Sequence, residues 1–184
     1  MRAFVALEIP DPRVLDGLVA MQKELADTGA DLKLVERQNL HFTVKFLGDI
    51  SEAQDAEVDS RLKGLSLTGA KVEVKGVGAF PTTDRPNVLW VGVAREHEGL
   101  VAPIAQSVIG ALQDIGQRDE RPFRAHATLA RVRSGRNSQA LASILRTNAE
   151  RSFGTTRLSA VKLKSSNLTP QGPVYTDVGE YTLA

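Results

Sequence analysis

The chain has 184 residues, of which 42% are apolar, and its formal net charge at neutral pH is +1. A chain of this length and composition can bury a sizeable core, as one large domain or as two small lobes. It has no cysteine, which excludes a disulfide framework, thiol catalysis and any zinc site that needs sulfur ligands.

Membrane and targeting signals are not evident in the sequence. There is no apolar run of about 18 residues, the length that a membrane-spanning helix needs. The apolar segment after Met1 is interrupted at Glu8, too early for a signal peptide. We therefore expect a soluble, cytoplasmic protein, and we expect it to be a monomer.

Apolar periodicity predicts alternating strands and helices in the first half of the chain. The predicted elements are a strand at 2–9, a helix from 12 up to 29, a short extended piece at 31–35, a strand at 40–48, a helix at 51–64 and a strand at 71–77. Pro12 favours the start of the first helix, and Ser51 is the predicted N-cap of the second.

The second half repeats this order. Its predicted elements are a strand at 88–93, a helix at about 96–115, a strand around His126, a helix from Asn137 or Ser138 to about 149, a strand at 156–164 and one extra strand at 174–183. A shift of 85 residues superimposes the two sets, which predicts an internal duplication with units at about 2–78 and 87–164. The predicted fold class is α+β: one domain over 1–184 with two similar lobes, each an antiparallel sheet backed by helices, around a central groove with pseudo-two-fold symmetry.

A His-x-Thr triplet occurs once in each predicted unit, as His41 with Thr43 and as His126 with Thr128. Because side chains two residues apart share one face of a strand, each triplet offers an imidazole beside a hydroxyl. Lys45 would share that face, either near the site or as a solvated or structural lysine. The opposite face of the first copy is predicted to be apolar: Leu40, Phe42, Val44 and Phe46.

Two histidines that face each other across a cleft suit in-line displacement at phosphorus. Imidazole has an ordinary pKa near 6.5, so one copy can be neutral and accept a proton while the other is protonated and donates one. Thr43 and Thr128 would donate hydrogen bonds to the non-bridging phosphate oxygens. This scheme needs no metal and no other cofactor, and neither triplet has a carboxylate at ligand spacing.

Arginines cluster around the second triplet. Residues 117–136 include six arginines and two acids, an excess of four positive charges. Arg131 stands three residues after Thr128, on the opposite face of an ideal strand, so a bulge or the strand end must turn it toward a phosphate. The other five are predicted to form a solvated rim that attracts RNA: Arg118, Arg121, Arg124, Arg133 and Arg136.

Two further residues, His97 and Phe123, carry weaker sequence signals. His97 lacks a threonine partner, and we expect it on the surface near the start of a helix. Phe123 is either a stacking platform for a base at the groove edge or a buried aromatic residue.

The segments 34–48 and 126–131 resemble the two signatures of the 2H phosphoesterase superfamily. Within it they are most similar to the bacterial and archaeal RNA 2′,3′-cyclic phosphodiesterases, historically called 2′-5′ RNA ligases. The resemblance extends to Arg2–Ala6 and to Leu163–Tyr175, with its closing strand and Gly-Pro-x-Tyr hairpin, and so covers nearly the whole chain. One departure is Ala125, where many relatives carry proline, which is expected to affect strand geometry only.

The resemblance implies a two-lobed fold that acts on RNA with a 2′,3′-cyclic phosphate end, or on a cyclic nucleotide. Water would open the cyclic phosphate to leave a 2′-phosphomonoester. By the same resemblance His41 would donate a proton to the leaving 3′ oxygen, and His126 would accept one from water. The predicted substrate-binding residues are Thr43, Thr128 and Arg131.

Two other functions fit the same residues. A 2′-5′ RNA ligase would run the chemistry in reverse, with a 5′-hydroxyl attacking in place of water, although water at about 55 M favours hydrolysis unless it is excluded. A non-catalytic module that binds RNA ends or nucleotides would keep the groove, but simple phosphate binding needs no pair of groups that titrate near neutrality. Binding of a cyclic-phosphate RNA without turnover would identify such a module.

Overall fold

A computed structural model describes residues 1–118 and 121–184. Asp119 and Glu120, the two acids of the arginine-rich segment, lie outside the described residues. The helices are α1 (Pro12–Asp27), α2 (Glu52–Lys63), α3 (Arg95–Ala111) and α4 (Ser138–Thr147), and a short 3-10 turn spans Arg37–Asn39. The strands are β1 (Arg2–Glu8), β2 (Leu32–Leu34), β3 (His41–Asp49), β4 (Ala70–Pro81), β5 (Pro86–Val93), β6 (His126–Val132), β7 (Ser152–Leu158), β8 (Ala160–Thr169) and β9 (Gly172–Thr182).

The strands form one antiparallel sheet in the order β7-β4-β5-β6-β3-β1-β8-β9, and β2 pairs with β6. The two halves of the sheet meet between β3 and β6, where Phe42 lies opposite Ala127. The predicted α+β class with antiparallel pairing is confirmed. The two predicted sheets are joined through β3 and β6 into one, so the two histidine-bearing strands are neighbours at the centre.

Each half of the sheet takes strands from both halves of the sequence. β4, from the first half of the sequence, pairs with β5 and β7, whereas β8, from the second half, pairs with β1. This exchange explains one difference from the predicted elements: the strand expected at 156–164 is two strands, broken at Ser159. Because β7 belongs to one half of the sheet and β8 to the other, the chain must cross between them.

The helices pack against the sheet through buried apolar residues. In α1 the buried apolar residues follow helical spacing, at Val14, Leu18, Met21 and Leu25. Ser51 caps α2 as predicted, because its Oγ accepts a hydrogen bond from Gln54 N at 3.1 Å and Gln54 Oε1 accepts one from Ser51 N at 3.0 Å. α3 is shorter than predicted and ends at Ala111, where the backbone of Leu112 leaves the helical region. Within the described residues, no helix has the length and apolar character to cross a membrane.

Candidate active site

β3 carries a bulge directly after Thr43. In the ladder with β1, Ala6 lies opposite Thr43 and Val5 lies opposite Lys45, so Val44 is the extra residue. A bulge reverses the faces that the following side chains occupy. Lys45 is therefore 1% exposed and donates a hydrogen bond to Gln117 O at 2.8 Å, while Phe46 is 59% exposed. The faces predicted for these two residues, Lys45 beside the histidine and Phe46 among the apolar side chains, are wrong.

β6 carries the same bulge in the same place. In the ladder with β5, Trp90 lies opposite Thr128 and Leu89 lies opposite Ala130, so Leu129 is the extra residue. The bulge leaves Arg131 exposed and lets it line the cleft together with Thr128. This is the backbone irregularity that Arg131 needs in order to reach the site. Arg131 and Phe46 thus stand at the same position relative to their His-x-Thr triplets.

The register between β3 and β6 brings the two triplets together. Because the strands are antiparallel with Phe42 opposite Ala127, His41 lies across from Thr128 and Thr43 lies across from His126. Each imidazole therefore has a hydroxyl beside it on its own strand and another across the strand pair. In antiparallel sheets, side chains directly opposite each other have Cβ atoms about 5 Å apart.

The cleft above these strands has two compartments. The larger, of about 520 Å³, is lined by His41, Thr43, Thr128 and Arg131. Its charged lining residues are mostly cationic, Arg2, Lys33 and Arg131 against Glu36. The second compartment, of about 390 Å³, contains His126 beside Phe80 and Trp90. His41, Thr43 and Thr128 thus border the larger compartment, and His126 borders the second.

His41 is held by aromatic rings. Phe4 stacks on it with ring centroids 5.1 Å apart, and Tyr175 meets it edge-on at 5.6 Å. The Nε2 atom of His41 lies 3.0 Å from Thr43 Oγ1. Burial lowers the pKa of His41 from 6.5 to about 4, although a hydrogen bond with the Asn39 backbone acts in the opposite direction. His41 is therefore a neutral imidazole near pH 7 in the free protein.

His126 is oriented by the backbone just before β6. Its Nδ1 lies 2.9 Å from the carbonyl oxygen of Arg124, which can only accept, so Nδ1 carries a proton when this bond forms. The neutral ring then has an unprotonated Nε2 that can accept a proton. Phe80 contacts the ring edge-on with centroids 5.1 Å apart.

The predicted arginine rim divides into two groups. Arg133 pairs with Asp31 at 3.1 Å, and Arg136 Nε donates to Gly29 O at 2.9 Å, so both tie β6 and α4 to the segment that precedes β2. The other three rim arginines are exposed, as Arg133 and Arg136 are: Arg118, Arg121 and Arg124. Among the residues that the structure describes, no carboxylate forms an ion pair with Arg131, which leaves its guanidinium available to a substrate.

The other two weakly patterned rings have structural contacts. His97 lies in the first turn of α3, as predicted, but it is half-buried, and its Nδ1 accepts a hydrogen bond from Glu73 N at 2.9 Å. Phe123 packs partly buried against the core, in agreement with the second of its two interpretations.

The residues around His41 could not be selected from the sequence by the motif alone. Phe4 and Tyr175 fell only within segments of family resemblance. Beyond them, four charged side chains form a closed group next to β3: Glu8, Lys162, Lys164 and Asp177. Glu8 stands opposite His41 in the β1–β3 ladder, which links this group to the site.

Metal ligands are not clustered in the part of the chain that is described. Residues 1–118 and 121–184 contain no group of three or more histidine, aspartate and glutamate side chains placed to hold a metal ion.

Comparison with known proteins defines the class. The family model described as LigT like Phosphoesterase matches residues 9–90 and again 91–175, and the chain belongs to this family. The resemblance to the 2H phosphoesterases is thereby confirmed. Because one model matches two successive segments and the two triplet strands share a bulge, we infer that the chain arose by internal duplication.

Individual relatives are similar over nearly their full length. The chain is 37% identical to an RNA 2′,3′-cyclic phosphodiesterase of Archaeoglobus fulgidus, over 97% of this chain and 98% of the relative. It is 38% identical to one of Aeropyrum pernix, over 91% and 95%. Among solved structures, TT0787 of Thermus thermophilus has a TM-score of 0.78 at 25% identity, covering 100% and 98% of the two chains. E. coli LigT complexed with 3′-AMP has a TM-score of 0.80 at 20% identity, covering 99% and 97%, which shows a shared fold.

Proposed function

We propose that this protein is an RNA 2′,3′-cyclic phosphodiesterase, which hydrolyses a terminal 2′,3′-cyclic phosphate to a 2′-phosphomonoester. The observation that carries the proposal is the β3–β6 register, in which the two His-x-Thr triplets lie opposite each other on neighbouring strands. The curated relatives that carry this activity in their names support the choice of substrate. Both an RNA end and a small cyclic nucleotide present the same reacting group.

The proposed reaction is an in-line displacement in which each histidine moves one proton. His126 accepts a proton from water as the water oxygen forms a bond to phosphorus. The bond between phosphorus and the 3′ oxygen breaks, and His41 donates a proton to that oxygen. Thr43 and Thr128 donate hydrogen bonds to the non-bridging oxygens.

Arg131 has the position and charge to stabilise the phosphate in this reaction. Its exposed guanidinium lines the cleft beside Thr128. A guanidinium can donate two parallel hydrogen bonds to phosphate oxygens, on which negative charge accumulates in the transition state. The relatively cationic lining of the larger compartment, with Arg2 and Lys33, also favours an anionic substrate.

The assignment of donor and acceptor is part of the proposal. Burial lowers the pKa of His41 to about 4, which works against a donor role in the free protein. An anionic cyclic phosphate that enters the cleft raises the pKa of a neighbouring imidazole, because the negative charge favours the protonated form. We therefore expect His41 to gain its proton together with the substrate. His126, with Nδ1 directed to a carbonyl oxygen, presents Nε2 as the acceptor nitrogen when its ring is neutral.

The first experiment is hydrolysis of a short RNA that ends in a 2′,3′-cyclic phosphate, in the presence of EDTA. We expect His41→Ala and His126→Ala each to lower kcat by a factor of about 10² or more. His97→Ala is the matched control, because it removes the remaining histidine, which contacts Glu73 outside the cleft. Thermal unfolding of each variant separates loss of activity from loss of folding.

The products and the wild-type behaviour distinguish the alternatives. A 2′-phosphate product identifies the 3′ oxygen as the leaving group. If the wild type joins a 5′-hydroxyl RNA more efficiently than it hydrolyses, the ligase is the better description. If it binds the cyclic-phosphate RNA without opening it, or if both alanine variants keep full activity, paired-histidine catalysis is wrong.

A further inference from the structure

The charged group next to β3 lies on the same face of the sheet as His41. Glu8 stands directly opposite His41 in the β1–β3 ladder, and residues that stand opposite each other in an antiparallel pair share a face. In the β1–β8 ladder Lys164 stands opposite Phe4, the ring that stacks on His41. Because alternate residues of β1 also share a face, Glu8 and Lys164 both lie on the side of the sheet that carries the imidazole.

Each ammonium of the charged group pairs with both of its carboxylates. The N–O distances from Lys162 and Lys164 to Glu8 and Asp177 lie between 2.5 and 2.9 Å. Every charge therefore has two opposite charges beside it, which fixes its position and leaves the group without net charge. The Lys164 side chain is only 7% exposed, so water screens its charge little.

Two members of the charged group act on the His41 proton in opposite directions. Burial is the main reason that the pKa of His41 is lowered to about 4, and the positive charge of Lys164 lowers it as well. The negative charge of Glu8 acts to raise the same pKa. Because Glu8 and Lys164 are joined in one ion pair, removal of either charge leaves the effect of the other on His41 less balanced.

Other ionisable groups also surround His41. Tyr175 of β9 meets it edge-on, but burial raises the pKa of Tyr175, so this side chain is uncharged near neutral pH. On the other side of β3, the neighbouring strand β6 carries His126 and Arg131. The larger compartment also has further charged residues in its lining: Arg2, Lys33 and Glu36. These groups are the same in every variant of Glu8 or Lys164, so their effect on His41 stays constant.

We propose that Glu8 and Lys164 are positioning residues that control the proton on His41, because the carboxylate stabilises the imidazolium while the ammonium holds the carboxylate in place and limits its effect. This inference rests on the proposed function, in which His41 donates a proton to the leaving oxygen. With both charges present, His41 is neutral in the free protein and gains its proton when the anionic phosphate adds its charge to that of Glu8. Neither side chain lines the two compartments of the cleft, so neither contacts the substrate.

Two variants that break the same ion pair change the charge near His41 in opposite directions. We measure kcat against pH for an RNA that ends in a 2′,3′-cyclic phosphate, because the alkaline limb of this profile reports the proton donor in the enzyme–substrate complex. Glu8→Gln removes the negative charge and should move the alkaline limb to lower pH by about 0.5–1 pH unit. Lys164→Met removes the positive charge and should move it to higher pH by a similar amount.

A purely structural role predicts a different result. Loss of the ion pair would then lower kcat in both variants without moving the alkaline limb, or would move the limb in the same direction in both. Either outcome would overturn the proposal. The double variant with Glu8→Gln and Lys164→Met should have its alkaline limb close to the wild-type position, because the two opposing charges are removed together.

An NMR titration of the His41 ring in the substrate-free protein makes the same comparison without turnover. The pKa of His41, about 4 in wild type, should rise in Lys164→Met and fall in Glu8→Gln. Two control variants should leave it unchanged. Lys23→Met removes one partner of an exposed ion pair in α1, and Leu100→Ala removes a side chain of α3 that is 47% exposed and outside the cleft.

The two measurements also separate this proposal from the proposed function. If wild type opens the cyclic phosphate but the pKa of His41 is the same in all variants, the positioning role alone is overturned. If wild type opens no cyclic phosphate, the proposed function fails, whatever the NMR titrations show. Thermal unfolding of each variant identifies any that does not fold, and the remaining single variant still has a predicted direction.

Discussion

The strands β3 and β6 have the same backbone but different surroundings. Both carry His-x-Thr, both bulge at the residue after the threonine, and both alternate buried and accessible residues in the same order. Yet His41 is enclosed by Phe4 and Tyr175, whereas His126 is bonded to a backbone carbonyl in a second compartment. A shared backbone thus sets the geometry of the two His-x-Thr triplets, and the neighbouring strands set the surroundings of each imidazole.

The neighbours differ most at the positions opposite the histidines. Glu8 lies opposite His41, while Gly92 lies opposite His126. The charged group that includes Glu8 is therefore confined to one half of the sheet. The position after the bulge differs too, with Phe46 in one half and Arg131 in the other. Each difference can be tested by a substitution on one side.

The largest expected effect is at Arg131. Removal of one preorganised donor to a developing oxyanion commonly lowers kcat by about 10²–10³, and we expect this range for Arg131→Ala. Arg131→Lys should recover only part, because lysine keeps the charge but loses the paired hydrogen bonds. Arg157→Ala, on the exposed face of edge strand β7, is the control. If kcat of Arg131→Ala is within threefold of wild type, Arg131 does not stabilise the reacting phosphate.

The second prediction concerns the enclosure of His41. Its pKa is about 4 in the folded protein and 6.5 in a model peptide, so between these values the unfolded chain binds more protons. The contribution of neutral His41 to the free energy of unfolding should therefore be fully present above about pH 6.5. The free energy of unfolding should fall by up to about 3 kcal/mol as the pH drops toward 4. Urea unfolding at about pH 4.5 and 7 measures the change.

Replacement of the His41 imidazole measures how much of the pH dependence of stability comes from this residue. His41→Asn should lose less stability than wild type over the same interval, because asparagine does not titrate. Leu100→Ala should keep the wild-type difference. Identical pH dependence for wild type and His41→Asn would mean that His41 is not enclosed as the ring contacts indicate.

The third prediction concerns the charged group that only the His41 half has. The Lys164 side chain is 7% exposed, and its ammonium lies 2.7 Å from Asp177 Oδ1 and pairs also with Glu8. Burial acts to raise the pKa of Glu8, but hydrogen bonds from Lys164 and Lys162 hold it below its usual value. Lys164→Met should lower the free energy of unfolding by about 2–3 kcal/mol, less than for a fully buried pair because the carboxylates keep some solvent.

An exposed pair provides the control for Lys164. Lys23 and Asp27 are paired at 2.9 Å with side chains 76% and 63% exposed. Lys23→Met should therefore change stability by less than about 0.5 kcal/mol. Similar losses for the two lysine variants would show that the charged group beside β3 contributes no more than a surface ion pair.

Sequence reasoning located the two His-x-Thr triplets but not their surroundings, for a physical reason. The triplets are local sequence patterns. The spacing between Thr128 and Arg131 is also local, and it shows that a bulge is needed if Arg131 is to reach the site. Val44 and Leu129 are ordinary strand residues, so their own identity gives no sign that they are the extra residues of a bulge. Because the bulge at Val44 has no sequence signal, Lys45 and Phe46 were assigned to the wrong faces of β3.

Contacts between distant strands were also outside the reach of local patterns. The break at Ser159 depends on β7 and β8 belonging to different halves of the sheet. The stack of Phe4 on His41 depends on the pairing of β1 with β3. These features depend on which strands become neighbours, and periodicity within one strand does not contain that information.

The smallest expected effect is in the helices that follow the two triplet strands. α2 begins with a reciprocal capping box at Ser51, whereas α4 begins after Asn137, which has a positive φ of 53° and no capping bond from its side chain. Ser51→Ala should cost about 1 kcal/mol of stability, because Gln54 N loses its acceptor. Asn137→Gly should cost less than about 0.5 kcal/mol, since glycine adopts a positive φ readily and only the exposed bond to Thr28 O is lost. Urea unfolding of both variants measures the two losses, and equal losses would mean that the two helix starts are stabilised alike.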